Sequence, residues 1–165
     1  MNQTIFLLLG VLGLVGIGAL MSSNDDDHPP EGPGDDPRLH PDTVIGDEDS
    51  SDDQVLTGTD GDDGILGGSG DDTINGRDGD DLVGAGYGDD SVIADLGDDE
   101  IYLGGNNDVY GAYEMGVNQG NDTIFGGYGD DTITTNLGNQ SISGGEDSDS
   151  IYDYGGSGSF NGQEG

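Results

Sequence analysis

The chain has 165 residues, with 36 Asp or Glu against 2 Lys or Arg, a formal net charge of −34 and no cysteine. Its two cations, Arg38 and Arg77, cannot form the basic face that a nucleic acid needs, so no nucleic-acid partner is expected. The cysteine count excludes disulfides, thiolate metal sites and cysteine nucleophiles, and 35 glycines with 30 % apolar residues leave little material for a conventional core.

Residues 1–21 form the first segment. Ile5 to Met21 is an apolar run interrupted only by Gly10, Gly13, Gly16 and Gly18. It predicts a hydrophobic N-terminal helix at the short end of the roughly 17–25 residues that span a bilayer, read as a membrane anchor or a signal segment. The second segment, residues 22–56, holds all five prolines and a dense set of acidic residues. High charge with little to bury does not recover the backbone entropy of folding, so a disordered acidic, Pro-rich linker is expected. His28 and His40 fall in it and read as solvated side chains.

The third segment, residues 57–165, repeats every nine residues from Gly58 onward. GTDGDDGIL, GGSGDDTIN, GRDGDDLVG, AGYGDDSVI, ADLGDDEIY and LGGNNDVYG follow without a gap. After an insertion at 112–116 come VNQGNDTIF, GGYGDDTIT, TNLGNQSIS, GGEDSDSIY and a degenerate DYGGSGSFN, about eleven units in all. The eighth position is apolar or aromatic throughout: Ile65, Ile74, Val83, Val92, Ile101, Tyr110, Ile124, Ile133, Ile142, Ile151 and Phe160. The residues around it are β-prone, which suits a very short strand with one inward side chain. The residues before it are Gly, Asp and Asn, which tolerate left-handed turns.

Short strand and tight turn at a fixed period wind into a solenoid that stacks like residues in columns. Two nonapeptides make one coil, and the sixth-position aspartates then stack along each turn edge. That arrangement repels itself without a cation and becomes a site with Ca²⁺, whose shell takes six to eight hard oxygens from carboxylates and carbonyls. The pattern GGxGxDxUx, unbroken at Gly67 to Asn75 and Gly126 to Thr134, resembles the RTX (repeat-in-toxin) calcium-binding family.

The resemblance covers residues 58 to about 161 and implies an all-β fold, a Ca²⁺-dependent parallel β-roll with several Ca²⁺ ions in the turns. It implies carboxylate ligands at Asp63, Asp72, Asp81, Asp90, Asp99, Asp108, Asp122, Asp131 and Asp149, with main-chain carbonyls supplying most of the rest. Gln140 breaks this column. Asn106 and Asp147 replace the usual fourth-position Gly, and the insertion must bulge out or split the roll. Phe160 is placed as a cap on the open end of the core. The fifth-position acids Asp62, Asp71, Asp80, Asp89, Asp98 and Asp130 read as solvated charge.

Other chemistries lack their residues. Neither HExxH nor GxSxG occurs, so no enzyme is expected. The EF-hand pattern is absent, and Gly126-Gly127-Tyr128-Gly129 has no Lys to make a phosphate loop. An ice-binding or adhesive face would need a uniform ladder, but the seventh position mixes Thr73, Thr123 and Thr132 with Leu82, Glu100 and Val109. The seven tyrosines are expected to pack rather than to form a carbohydrate platform. The reading is a non-catalytic, extracytoplasmic calcium-binding module, secreted or membrane-anchored; its rival is a surface adhesin or matrix protein that uses the rigid roll to contact a partner.

Overall fold

The computed structural model describes residues 43–47, 49–111 and 120–162. The apolar run at 1–21, most of the expected linker and the insertion at 112–116 lie outside the described residues. No helix long and apolar enough to cross a membrane occurs among those described.

The described residues contain strands and turns. β1 (Thr43–Gly46), β2 (Val55–Thr57), β3 (Asp63–Ser69) and β4 (Thr73–Asp78) lead into β5 (Leu82–Tyr87), β6 (Ser91–Leu96), β7 (Glu100–Gly105) and β8 (Val109–Tyr110). After the insertion come β9 (Thr123–Tyr128), β10 (Thr132–Thr135), β11 (Ser141–Glu146), β12 (Ser150–Asp153) and β13 (Ser159–Asn161). Odd-numbered strands build one sheet in the order β1-β3-β5-β7-β9-β11-β13, and even-numbered strands build the other, β12-β10-β8-β6-β4-β2. Every pairing is parallel. Alternation between two sheets with only parallel neighbours describes a solenoid of about six turns, consistent with a β-roll.

Like residues stack. Ile65 lies opposite Val83 and Ile74 opposite Val92, each one coil further along. Across the insertion the register holds, with Ile101 opposite Ile124 and Gly104 opposite Gly127. The stack is therefore continuous across the insertion, and the roll is not split into two blocks.

The eighth-position residues Ile65, Ile74, Val83, Val92, Ile101, Tyr110, Ile124, Ile133 and Ile142 are all buried and meet between the sheets. Ile151 is half-buried at the last coil. Phe160 is 46 % exposed, so it does not seal the core end as expected. It continues the column beside Ile142, and among the described residues no further coil covers it. A second inward column, two residues on, holds Ala85, Ala94, Leu103 and Thr135, because side chains alternate along a strand and the tenth residue faces the same way as the eighth.

The roll also begins earlier than its regular repeats. β1 pairs with β3 and β2 with β4, although both fall in or at the border of the stretch whose composition reads as linker. Leu56 is buried and Ile45 packs against the core. These aliphatics are outweighed in composition by the acids and prolines around them.

Turns use left-handed backbone at the fourth and second positions of most repeats. At the fourth position Asn106 and Asp147 adopt φ of 88° and 77°, as expected of Gly substitutes. The second position does the same, and there Arg77 (φ 82°) and Asp95 (φ 74°) hold a conformation that costs an ordinary residue about 1–2 kcal/mol. At Gly86, φ is 113° and an added Cβ would run into the carbonyl oxygen of Gly68 in the coil before.

Candidate metal centre

The turns form two edges, and each edge carries a row of sixth-position side chains. One row runs Asp63, Asp81, Asp99, Asp122, Gln140; the other runs Gln54, Asp72, Asp90, Asp108, Asp131, Asp149. Every carboxylate but Asp149, at the last coil, is at most 2 % exposed.

The rows are built by one repeated hydrogen bond. A backbone N–H donates to the carboxylate of the next coil on the same edge: Asp63 to Asp81 Oδ1 at 2.9 Å, Asp72 to Asp90 Oδ1 at 2.7 Å, Asp90 to Asp108 Oδ1 at 2.8 Å, Asp108 to Asp131 Oδ1 at 2.8 Å. Asp81 donates to Asp99 at 2.9 Å, Asp99 to Asp122 at 3.2 Å and Asp131 to Asp149 at 3.1 Å. One oxygen of each acceptor is thereby fixed; Asp72 receives the same bond from the Gln54 N–H, and Asp63, at the start of its row, is held instead through Oδ2 by the Thr59 N–H and hydroxyl. The second oxygens of Asp72, Asp81, Asp90, Asp99, Asp108 and Asp131 are buried without any hydrogen-bond partner, and so is Oδ1 of Asp63.

A buried acceptor without a donor costs free energy, and a buried charge costs more. The carboxyls respond accordingly. Burial, reinforced by neighbouring carboxylates and opposed by the ladder bond, raises Asp99 and Asp108 to about 8 and Asp90 and Asp131 to about 7. Burial likewise raises Asp81 and Asp122 to about 6, and lifts Asp72 and Asp149 above the ordinary value. Protons or a cation must compensate these rows.

A hard dication fits this donor set. Carboxylate oxygens stripped of other partners face the glycine-rich turn: an added Cβ at Gly67, Gly76 or Gly126 would press on the second oxygen of Asp72, Asp81 or Asp131. Among the described residues no three carboxylate or imidazole groups converge on one point. The remaining ligands of a bound ion are then backbone carbonyls or water, an all-oxygen set that suits Ca²⁺ better than a metal that prefers imidazole or thiolate.

All nine aspartates expected as ligands stand in these rows, but they are not equivalent. Asp122 is the exception: its second oxygen accepts from the Tyr110 hydroxyl at 3.4 Å. Tyr110 is fully buried, and burial together with Asp122 pushes its phenol well above the usual value. Gln140 keeps the row's geometry with a neutral group. Its Oε1 accepts from the Asp122 N–H at 2.6 Å while its Nε2 donates to the Gly120 and Leu137 carbonyls, both at 3.1 Å.

The fifth-position acids are exposed as expected, yet they too are ordered. Their side chains accept in the opposite direction, from the N–H one coil later: Asp62 from Asp80 at 3.0 Å, Asp71 from Asp89 at 3.0 Å, Asp80 from Asp98 at 2.9 Å. Asn107 and Asn121 fill the same role for Asp130 and Asn139. Sequence reading missed this outer ladder; its signal is that Asp and Asn alternate freely at a position where only the shared Oδ1 matters.

No curated protein and no solved structure matches the chain. The model of the RTX calcium-binding nonapeptide repeat does, at residues 48–83, 84–111 and 117–151, which together make up more than half of the chain. Register, buried carboxylate rows and this match agree: the chain belongs to the RTX calcium-binding nonapeptide-repeat family, whose repeats bind Ca²⁺ ions.

Proposed function

We propose that this chain is a non-catalytic, extracytoplasmic module whose β-roll forms when Ca²⁺ binds along its two inner rows. The observation that carries this reading is the series of buried carboxylate oxygens with no partner, at Asp63, Asp72, Asp81, Asp90, Asp99, Asp108 and Asp131. Asp149 completes the second row from the last coil. In unfolded chain these carboxylates are hydrated and charged; folding without a cation at neutral pH either buries the charge or forces the carboxyls to take up protons, whereas a bound ion turns each into a ligand. Binding free energy is then folding free energy.

Calcium modules of this kind outside the cell hold their ions in the range of about 10⁻⁴ to 10⁻³ M. Such affinity leaves the chain unfolded in cytosol and folded where calcium is abundant. The apolar run at residues 1–21 supports export with retention at a membrane, and residues 22–42 serve as the tether. Small-angle scattering of the full chain tests the coupling. The radius of gyration should fall sharply on adding millimolar CaCl₂ and stay expanded in equal MgCl₂, since Mg²⁺ gives up its waters reluctantly. A chain equally compact in chelator would overturn the reading.

A further inference from the structure

The two inner rows differ at their ends, and each ends in a glutamine. Gln140 closes the first row at its C-terminal end, where the next turn offers only Gly158 at the equivalent place. Gln54 opens the second row at its N-terminal end, and its Nε2 donates to the Gly67 carbonyl. Both side chains put amide donors onto turn carbonyls, where the aspartates at the same position elsewhere in the rows present only acceptor oxygens. Around Gln140 the neutral character extends further. Asp122 has both oxygens satisfied, by the Asp99 N–H and the Tyr110 hydroxyl. The outer ladder also changes from Asp62, Asp80 and Asp98 to Asn121 and Asn139, joined side chain to side chain at 3.1 Å. On the opposite edge the same coils keep Asp130, Asp131 and Asp149.

Resting on the proposed calcium-dependent function, we propose that the edge bearing Asp122 and Gln140 takes no cation between those two residues. The Gln140 amide stands where the ion would, and calcium is confined to Asp63, Asp81 and Asp99 on that edge and to the aspartate row on the other. A cation between two turns draws ligands from both, so a row must stop where the next turn has no carboxylate. An amide that donates to the carbonyls supplies the missing positive partner without a net charge. The roll is thereby loaded unequally, with ions on one edge only at its C-terminal end.

The full chain, its Gln140→Asp variant and Asp90→Asn are dialysed to equilibrium against saturating CaCl₂, and bound calcium is counted. Gln140→Asp should hold roughly one more ion per chain than the parent, because it restores a carboxylate and removes the amide donors, while Asp90→Asn should hold fewer. Crystals of the unmodified chain grown in CaCl₂ should show anomalous calcium peaks along Asp72 to Asp149 and none between Asp122 and Gln140; this measurement decides should the variant not fold. A peak at that place, or no gain in a folded Gln140→Asp while Asp90→Asn loses ions, overturns the unequal loading and leaves the calcium-dependent roll standing. No bound calcium in the parent chain overturns both.

Discussion

Adjacent aspartates in one turn meet opposite fates. Asp89 and Asp90 are neighbours of identical chemistry, but Asp89 is exposed and its side chain accepts from the Asn107 N–H at 3.1 Å. Asp90 is 2 % exposed, has one oxygen without a partner, and is pushed up to about 7 by burial. The same contrast repeats at Asp71 and Asp72 and at Asp80 and Asp81. Acidity alone therefore does not make a cation site; a carboxylate becomes one when the fold removes its water and gives nothing back. The outer row keeps its water and serves as backbone scaffolding.

The two rows should differ most at the middle of an inner row. Asp108→Asn, which keeps the ladder acceptor and removes the charge, should raise the calcium concentration at half-folding by on the order of tenfold or more, measured by circular dichroism. An unchanged midpoint would mean that the inner row is not the ligand set. Next in size is the frame that holds both rows. Ile101→Ala should destabilise the calcium-saturated roll by about 2–5 kcal/mol in urea unfolding, since Ile101 lies wholly in the core.

Acid distinguishes the rows in another way. Because burial raises the inner carboxyls above their ordinary 3.8, protonation stabilises the calcium-free roll, fully so below that value and less as pH rises through about 6 to 8. In chelator the β-sheet signal should grow from pH 8.5 toward pH 4. The calcium midpoint should meanwhile move to higher concentration, as protons compete for the same oxygens. A pH-independent midpoint would contradict this. The smallest effect belongs to the outer row: Asp89→Asn keeps the Oδ1 that accepts from Asn107 and should leave the midpoint within a factor of about two, or ~0.5 kcal/mol. A loss as large as that of Asp108→Asn would erase the distinction.

The nonapeptide period made the solenoid, the inward eighth position and the stacked sixth position legible, because strict repetition leaves one way to superimpose like residues. What it hid has physical reasons. The second inward column mixes glycines such as Gly67, Gly76 and Gly126 with larger residues, so Ala85, Ala94 and Leu103 give no regular apolar signal until strand alternation shows where they point. Arg77 and Asp95 gave no sign of left-handed backbone, because tertiary stacking overrides the preference of a single residue. The first two strands lie in a segment dominated by acids and prolines, where two aliphatics suffice to join a column already formed. Gln140 read as a lost ligand; that its amide satisfies three backbone groups depends on the position of a carbonyl in the coil before, which no local pattern encodes.

Calcium is what makes the buried inner rows tolerable at neutral pH. Far-UV circular dichroism of the full chain, titrated from chelator to several millimolar Ca²⁺ at pH 7.5 with Mg²⁺ as control, tests it directly. A cooperative change from coil to β-sheet is expected with Ca²⁺ alone. A β-sheet spectrum already complete in chelator, or one produced equally by Mg²⁺, would contradict it.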